Sequence, residues 1–313
     1  MIKYPQSKIA QSRWALTFTA AYAVLVCLAA GLVSQENWIQ VLLMGISTLM
    51  MVELNNANSL IRIYSRMVSC SFLVMTTMAV FLMPSMKAAI NQAALIAFYL
   101  YFFKAYQNPT ASGWIFTAFF AIGVGSIFFV QILFFVPVLW ILMATNVLAF
   151  NARTFFASVF GILGPYWFIV AYYVLTGNTG WLSDHFIALT RFSPILDMGI
   201  LDTHRLVTAV FVLCVAILGS AHFLIYSYLD KIRTRMIYET FITLDICCFV
   251  FILLQPQHFD WLLAMAIVTT APLVGHYLSL SHTKLSNIIF FVIAILALII
   301  TIFNLWMPSS IFS

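Results

Sequence analysis

Long apolar runs separated by short polar turns fill this chain, and that alternation predicts helices that cross a bilayer. A span needs about 20 apolar residues, and on that criterion the pattern gives about eleven. They are Trp14–Val33, Ile39–Ala57, Met67–Pro84, Ala88–Phe103, two within Trp114–Phe150, Phe155–Thr176, Leu206–Tyr228, Ile237–Leu254, Trp261–Leu280 and Ser286–Trp306. The uncharged run Trp114–Phe150 is too long for one helix across an apolar layer of about 30 Å. It must turn back, and Gln131 and Pro137 place the reversal near its middle. Gly177–Arg205 is the one long polar interval. It predicts a loop outside the membrane carrying a short interfacial helix over Trp181–Phe192, with Trp181, Phe186, Leu189 and Phe192 toward the lipid. The expected fold is therefore an all-α, polytopic transmembrane helix bundle. Residues 1–313 form one integral membrane domain, with the N-terminus inside and the C-terminus outside.

Composition and charge sharpen this picture. The chain is 64% hydrophobic and 7% charged, whereas a soluble domain carries about a quarter charged residues, so a soluble reading is excluded. Of the 14 lysines and arginines, Lys3, Lys8, Arg13, Arg62, Arg66, Lys104, Arg153, Lys231, Arg233, Arg235 and Lys284 fall on the side read as inside. Only Lys87, Arg191 and Arg205 fall outside, the bias expected of cytoplasmic loops. The net charge of +5 thus reports orientation, not a nucleic-acid partner. The five cysteines lie in apolar segments without metal-ligand spacing and read as core residues; no metal and no cofactor is expected. Phosphate-loop, dinucleotide-binding and zinc-protease motifs are absent from the sequence.

Ionisable side chains inside spans are costly and are functional candidates. Here they are Glu53, His222, Asp245 and His276. His222 and Asp245 sit at similar depth on consecutive helices and are expected to pair, with His276 completing a cluster. Such a cluster serves either as a proton or cation relay or as a hydrogen bond that locks a helix hairpin. If the helix bearing Glu53 continues, Arg62 and Arg66 share one face and offer a phosphate or lipid-headgroup contact. In the outer interval Asp184, His185, Asp197 and Asp202 are candidates for catalysis, beside Arg191, His204 and Arg205. Lipid-linked-sugar glycosyltransferases place a catalytic carboxylate in an outer loop, but usually a long first one. Here that loop is only Ser34–Trp38, with Glu36.

The run FKAYQNPTASGWIFTAFFAIGVGSIFFVQILFFVPVLWILM, then NARTFFASVFGILGPYWF with its Gly-x-x-Gly-Pro-Tyr, resembles an uncharacterised family of Bacteroidetes polytopic inner-membrane proteins. NNANSLIRIYSRMVSC is similar as well. The resemblance implies a multi-pass protein of a Gram-negative inner (cytoplasmic) membrane and assigns no residue a chemical role. The leading functional expectation is handling of a lipid-linked or lipid precursor in cell-envelope biogenesis, with membrane lipid as partner. The alternatives are a secondary transporter built on the His/Asp cluster and a non-catalytic membrane subunit with a protein partner.

Overall fold

The computed structural model describes residues 4–177 and 180–307; the predicted inner Lys3 lies outside them. Thirteen α-helices are present among the described residues, joined by short 3-10 turns and without a strand. The chain begins with α1 (Pro5–Ala10), α2 (Ala15–Ala29), α3 (Trp38–Asn58), α4 (Met67–Met78) and α5 (Met86–Phe102). It continues with α6 (Ser112–Phe128), α7 (Val136–Thr145), α8 (Ala152–Leu175) and α9 (Gly180–Ile187). The last four are α10 (Thr203–Tyr226), α11 (Ile232–Leu254), α12 (Phe259–Leu280) and α13 (Lys284–Trp306).

Seven helical segments are long and apolar enough to cross a membrane: α3, α5, α8, α10, α11, α12 and α13 with their flanking turns. The other apolar helices, α2, α4, α6 and the segment ending in α7, are shorter. At 1.5 Å rise per residue the 12-residue α4 covers about 18 Å, and a 3-10 turn over Val80–Leu82 extends it. The reversal expected inside Trp114–Phe150 is real. Helical geometry breaks at Phe129, a 3-10 segment carries Gln131, and α7 starts at Val136 with Pro137 in its first turn. Its two ends return to one place: the Gln107 amide donates to the Val147 carbonyl (2.8 Å), and the Asn151 side chain donates to the Pro109 carbonyl (2.7 Å).

At the centre stands α12, buried throughout, with α4, α5, α10 and α11 around it. Its Gly275 faces α4 so closely that a Cβ there would lie 2.8 Å from the Val68 nitrogen. The helices α2, α3, α6 and α13 form an outer layer, and α8 joins through α6. At that crossing a Cβ on Gly161 would meet the Phe116 carbonyl oxygen at 2.6 Å. Small residues let backbones approach where lipid offers helices no hydrophobic drive to associate.

Cross-contacts define two ends. One, the basic end, ties α1, the 59–66 turn, the 229–231 turn and the end of α12 together. There the Gln6 side chain donates to Leu278 and Ser281, and Ser65 bonds the Ala10 carbonyl and Ser279. Two sequence expectations change at this end. Helix α3 stops at Asn58 with Ser59 in the left-handed region (φ 49°), so Arg62 and Arg66 do not continue one helical face. Helix α11 begins at Ile232, before the expected Ile237, and takes in Arg233 and Arg235.

Candidate functional site

At the opposite end the 177–205 interval folds back onto the bundle. Its backbone carbonyls are gripped by three glutamine side chains from other turns. Gln131 donates to Ala188 (3.3 Å), Gln257 to Arg191 (3.0 Å) and Gln255 to Ser193 (3.2 Å). Gln255 also accepts from the Ser193 amide at 2.9 Å. An amide side chain that satisfies loop carbonyls fixes the loop without adding charge. The expected lipid-facing aromatics of this interval meet protein: Trp181 stacks on Tyr173 of α8 (4.7 Å), Phe186 on Tyr166 (5.4 Å), and Phe192 lies beside Phe134.

The pinned loop closes a cleft of about 270 Å³, whose walls include Phe129, Gln131, His185, Arg191, Gln257, His258 and Trp261. His185 is built in from both sides. Its ring lies flat on Trp181 (4.7 Å, 16°), and its Nε2 bonds the Tyr166 hydroxyl (3.1 Å). That hydroxyl in turn bonds Ser126 (2.8 Å), which donates to the Gly123 carbonyl. Burial holds the His185 imidazole below the ordinary histidine range, so it is neutral at neutral pH. Opposite it, His258 stacks on Trp261 (5.9 Å), and the Lys87 ammonium lies over the same indole (5.9 Å). Arg191 lines the cleft and enters no ion pair among the described residues. No carboxylate lines it. Guanidinium and imidazole donors around an aromatic floor suit an anionic oxygen ligand.

The predicted carboxylates are elsewhere. Asp184 and Asp197 are exposed and outside the cleft lining. Asp202 faces Arg205 (3.8 Å), which also reaches Asp260 (3.6 Å). His204 is buried edge-on against Phe81. Of the outer candidates only His185 and Arg191 therefore converge. Their partners Tyr166, Gln257, His258 and Trp261 were not singled out from sequence. The turn Gln255–Asp260 on the same side as the loop was the available signal, since its polar side chains must meet something there.

The expected His222–Asp245 pair does not form. His276 bonds Asp230 instead (Nε2 to Oδ2, 3.0 Å), with both side chains buried, and the His222 ring lies 5.7 Å from that of His276. Arg62 reaches the same Asp230 carboxylate (3.9 Å) and donates to the Leu229 carbonyl. Asp245 sits deeper, accepting from Thr269 and Thr270. From Thr269 to His276 is about 10 Å along α12. Depth counted from the helix ends put His222 and Asp245 level, but α11 begins at Ile232 and not at Ile237, so Asp245 lies deeper, and Asp230 lies in a turn and not in a span. The half-buried Arg66 side chain hydrogen-bonds its neighbour Tyr64, and Glu53 is exposed on α3. All five cysteines are free thiols. Set against protein-family models, curated proteins and solved structures, this chain matches none of them.

Proposed function

We propose that the protein handles a lipid-linked or lipid precursor of the cell envelope in a bacterial inner membrane, holding its anionic headgroup in the cleft of His185, Arg191 and His258. One observation carries this reading. The end opposite the basic one has only Lys87, Arg191 and Arg205 as permanent cations, and Arg191, which enters no ion pair among the described residues, lines a cleft with two imidazoles and no carboxylate. Cations kept where loops ordinarily lack them need a reason, and an anionic ligand supplies it. In this reading about eleven apolar segments cross the bilayer. The basic end and the N-terminus face the cytoplasm, and the cleft and the C-terminus face outward. The hydrocarbon chain of the ligand lies in the surrounding lipid beside α8. Binding, not carboxylate catalysis, is the role assigned to the cleft. Arg66 is a separate candidate contact for anionic lipid at the basic end, whereas Arg62 is engaged with Asp230.

Native mass spectrometry of the protein extracted gently from its own membrane tests this. A polyprenyl-phosphate or phosphate-headed lipid is expected on the wild type, and loss of it on Arg191→Ala/His258→Ala. Wild-type protein without such a lipid, or equal retention by the double variant, overturns the reading.

A further inference from the structure

Asp245 lies midway along α11, 4% exposed, and among the described residues no arginine, lysine or histidine pairs with it. Its Oδ1 accepts from Thr269 Oγ1 (2.7 Å) and Thr270 Oγ1 (2.8 Å), both on α12. The one Thr269 proton is also within reach of the Ala266 carbonyl (2.9 Å). Two neutral hydroxyls do not repay the cost of an ionised carboxylate in an apolar interior, so a positive charge has to accompany this group.

Two further features point to the same place. Tyr99 of α5 is fully buried, its hydroxyl has no partner, and it shares with Thr269, Leu244 and Cys248 the walls of a small apolar void. Pro272, inside α12, has no N–H, so the Val268 carbonyl next to Thr269 lacks its helical donor. The titratable neighbours are Tyr99 from α5 and Cys247 and Cys248 from α11 itself. At mid-length α10 adds only the exposed Cys214, its histidines lying toward its two ends. No fixed cation is therefore built in; the site takes an exchangeable one.

We propose that Asp245, Thr269 and Thr270 form an exchangeable monovalent-cation site in the membrane interior, occupied by H+ or Na+. The site is remote in composition from the cleft and independent of the headgroup reading.

Dicyclohexylcarbodiimide, which attacks a protonated carboxyl in an apolar setting, reads its occupancy. The purified full chain is labelled across about pH 5 to about pH 9, adducts are mapped by peptide mass spectrometry, and Asp245→Asn is the blank. Labelling at Asp245 is expected to fall about tenfold per pH unit above its midpoint. Slowing by Na+ but not K+ at fixed pH assigns the site to Na+, and indifference to Na+ assigns it to H+. Thr269→Val/Thr270→Val removes both donors to the carboxylate and should move the midpoint to higher pH; Thr270→Val alone should move it less. Labelling that ignores both pH and Na+, absence of labelling across the range, or a midpoint unmoved by both threonine variants overturns the proposal.

Discussion

The two ends of this bundle are both polar, yet their charges do different work. At the basic end several polar groups are consumed by one another. Asp230 takes His276 and Arg62, while Arg233 donates to Asn58 and the Phe103 carbonyl. Asn146 donates to Met236 and Glu239. At the opposite end glutamine amides hold the loop, which leaves Arg191 and the imidazoles facing an open cleft. Density of charge is therefore a poor guide to a site here. A cation signals binding when the fold has given it space and no carboxylate.

The sharpest way to break this comparison is Asp230→Ala. It strands Arg62 and the buried His276, and is expected to cost about 3 kcal/mol, read as a lower unfolding midpoint in detergent. A loss under about 1 kcal/mol would mean that the basic end is not a structural network. Next comes Arg191→Ala, which removes a charged donor worth about 1.5 kcal/mol. A phosphate-headed lipid should bind about tenfold more weakly, with the unfolding midpoint unchanged; a fall in stability without a change in affinity would make Arg191 a structural residue. Arg62→Ala should show the reverse pattern at smaller scale. Its guanidinium is 41% exposed, so less than about 1 kcal/mol is lost and lipid retention stays at the wild-type level.

The smallest effect concerns pH. Because burial depresses the His185 value, the folded state resists its protonation. The stability this contributes is complete above the unfolded value of about 6.5 and is lost as pH falls through the lower folded value. His185→Asn should therefore flatten the acid side of the unfolding-midpoint profile below about pH 6.5. Equal slopes in variant and wild type would show that His185 is not the group being titrated.

Much of the architecture is legible in the sequence. Every predicted apolar segment coincides with a helix or a helix-turn pair, because apolar runs and their polar ends are local facts, and a backbone excluded from water satisfies itself as helix. The Lys and Arg distribution also maps onto the two ends of the bundle. The short helices are less legible: α4 gives way to a 3-10 turn that composition does not mark, whereas the 3-10 segment before α7 falls at the reversal that Gln131 and Pro137 signal. The stacking of Trp181 on Tyr173 and of Phe186 on Tyr166 was not legible either, since it depends on how the loop folds back onto α8.

Side-chain partnerships are what only the tertiary structure decided. These helices are apolar on nearly every face, so no stripe in the sequence fixes how each is rotated about its axis. Rotation decides that Asp245 meets Thr269 and Thr270, and that His276 meets a carboxylate from a turn. The cleft has the same origin. His185 and Arg191 come from one part of the chain and His258 and Trp261 from another, and packing around α12, not any local pattern, brings them to one place.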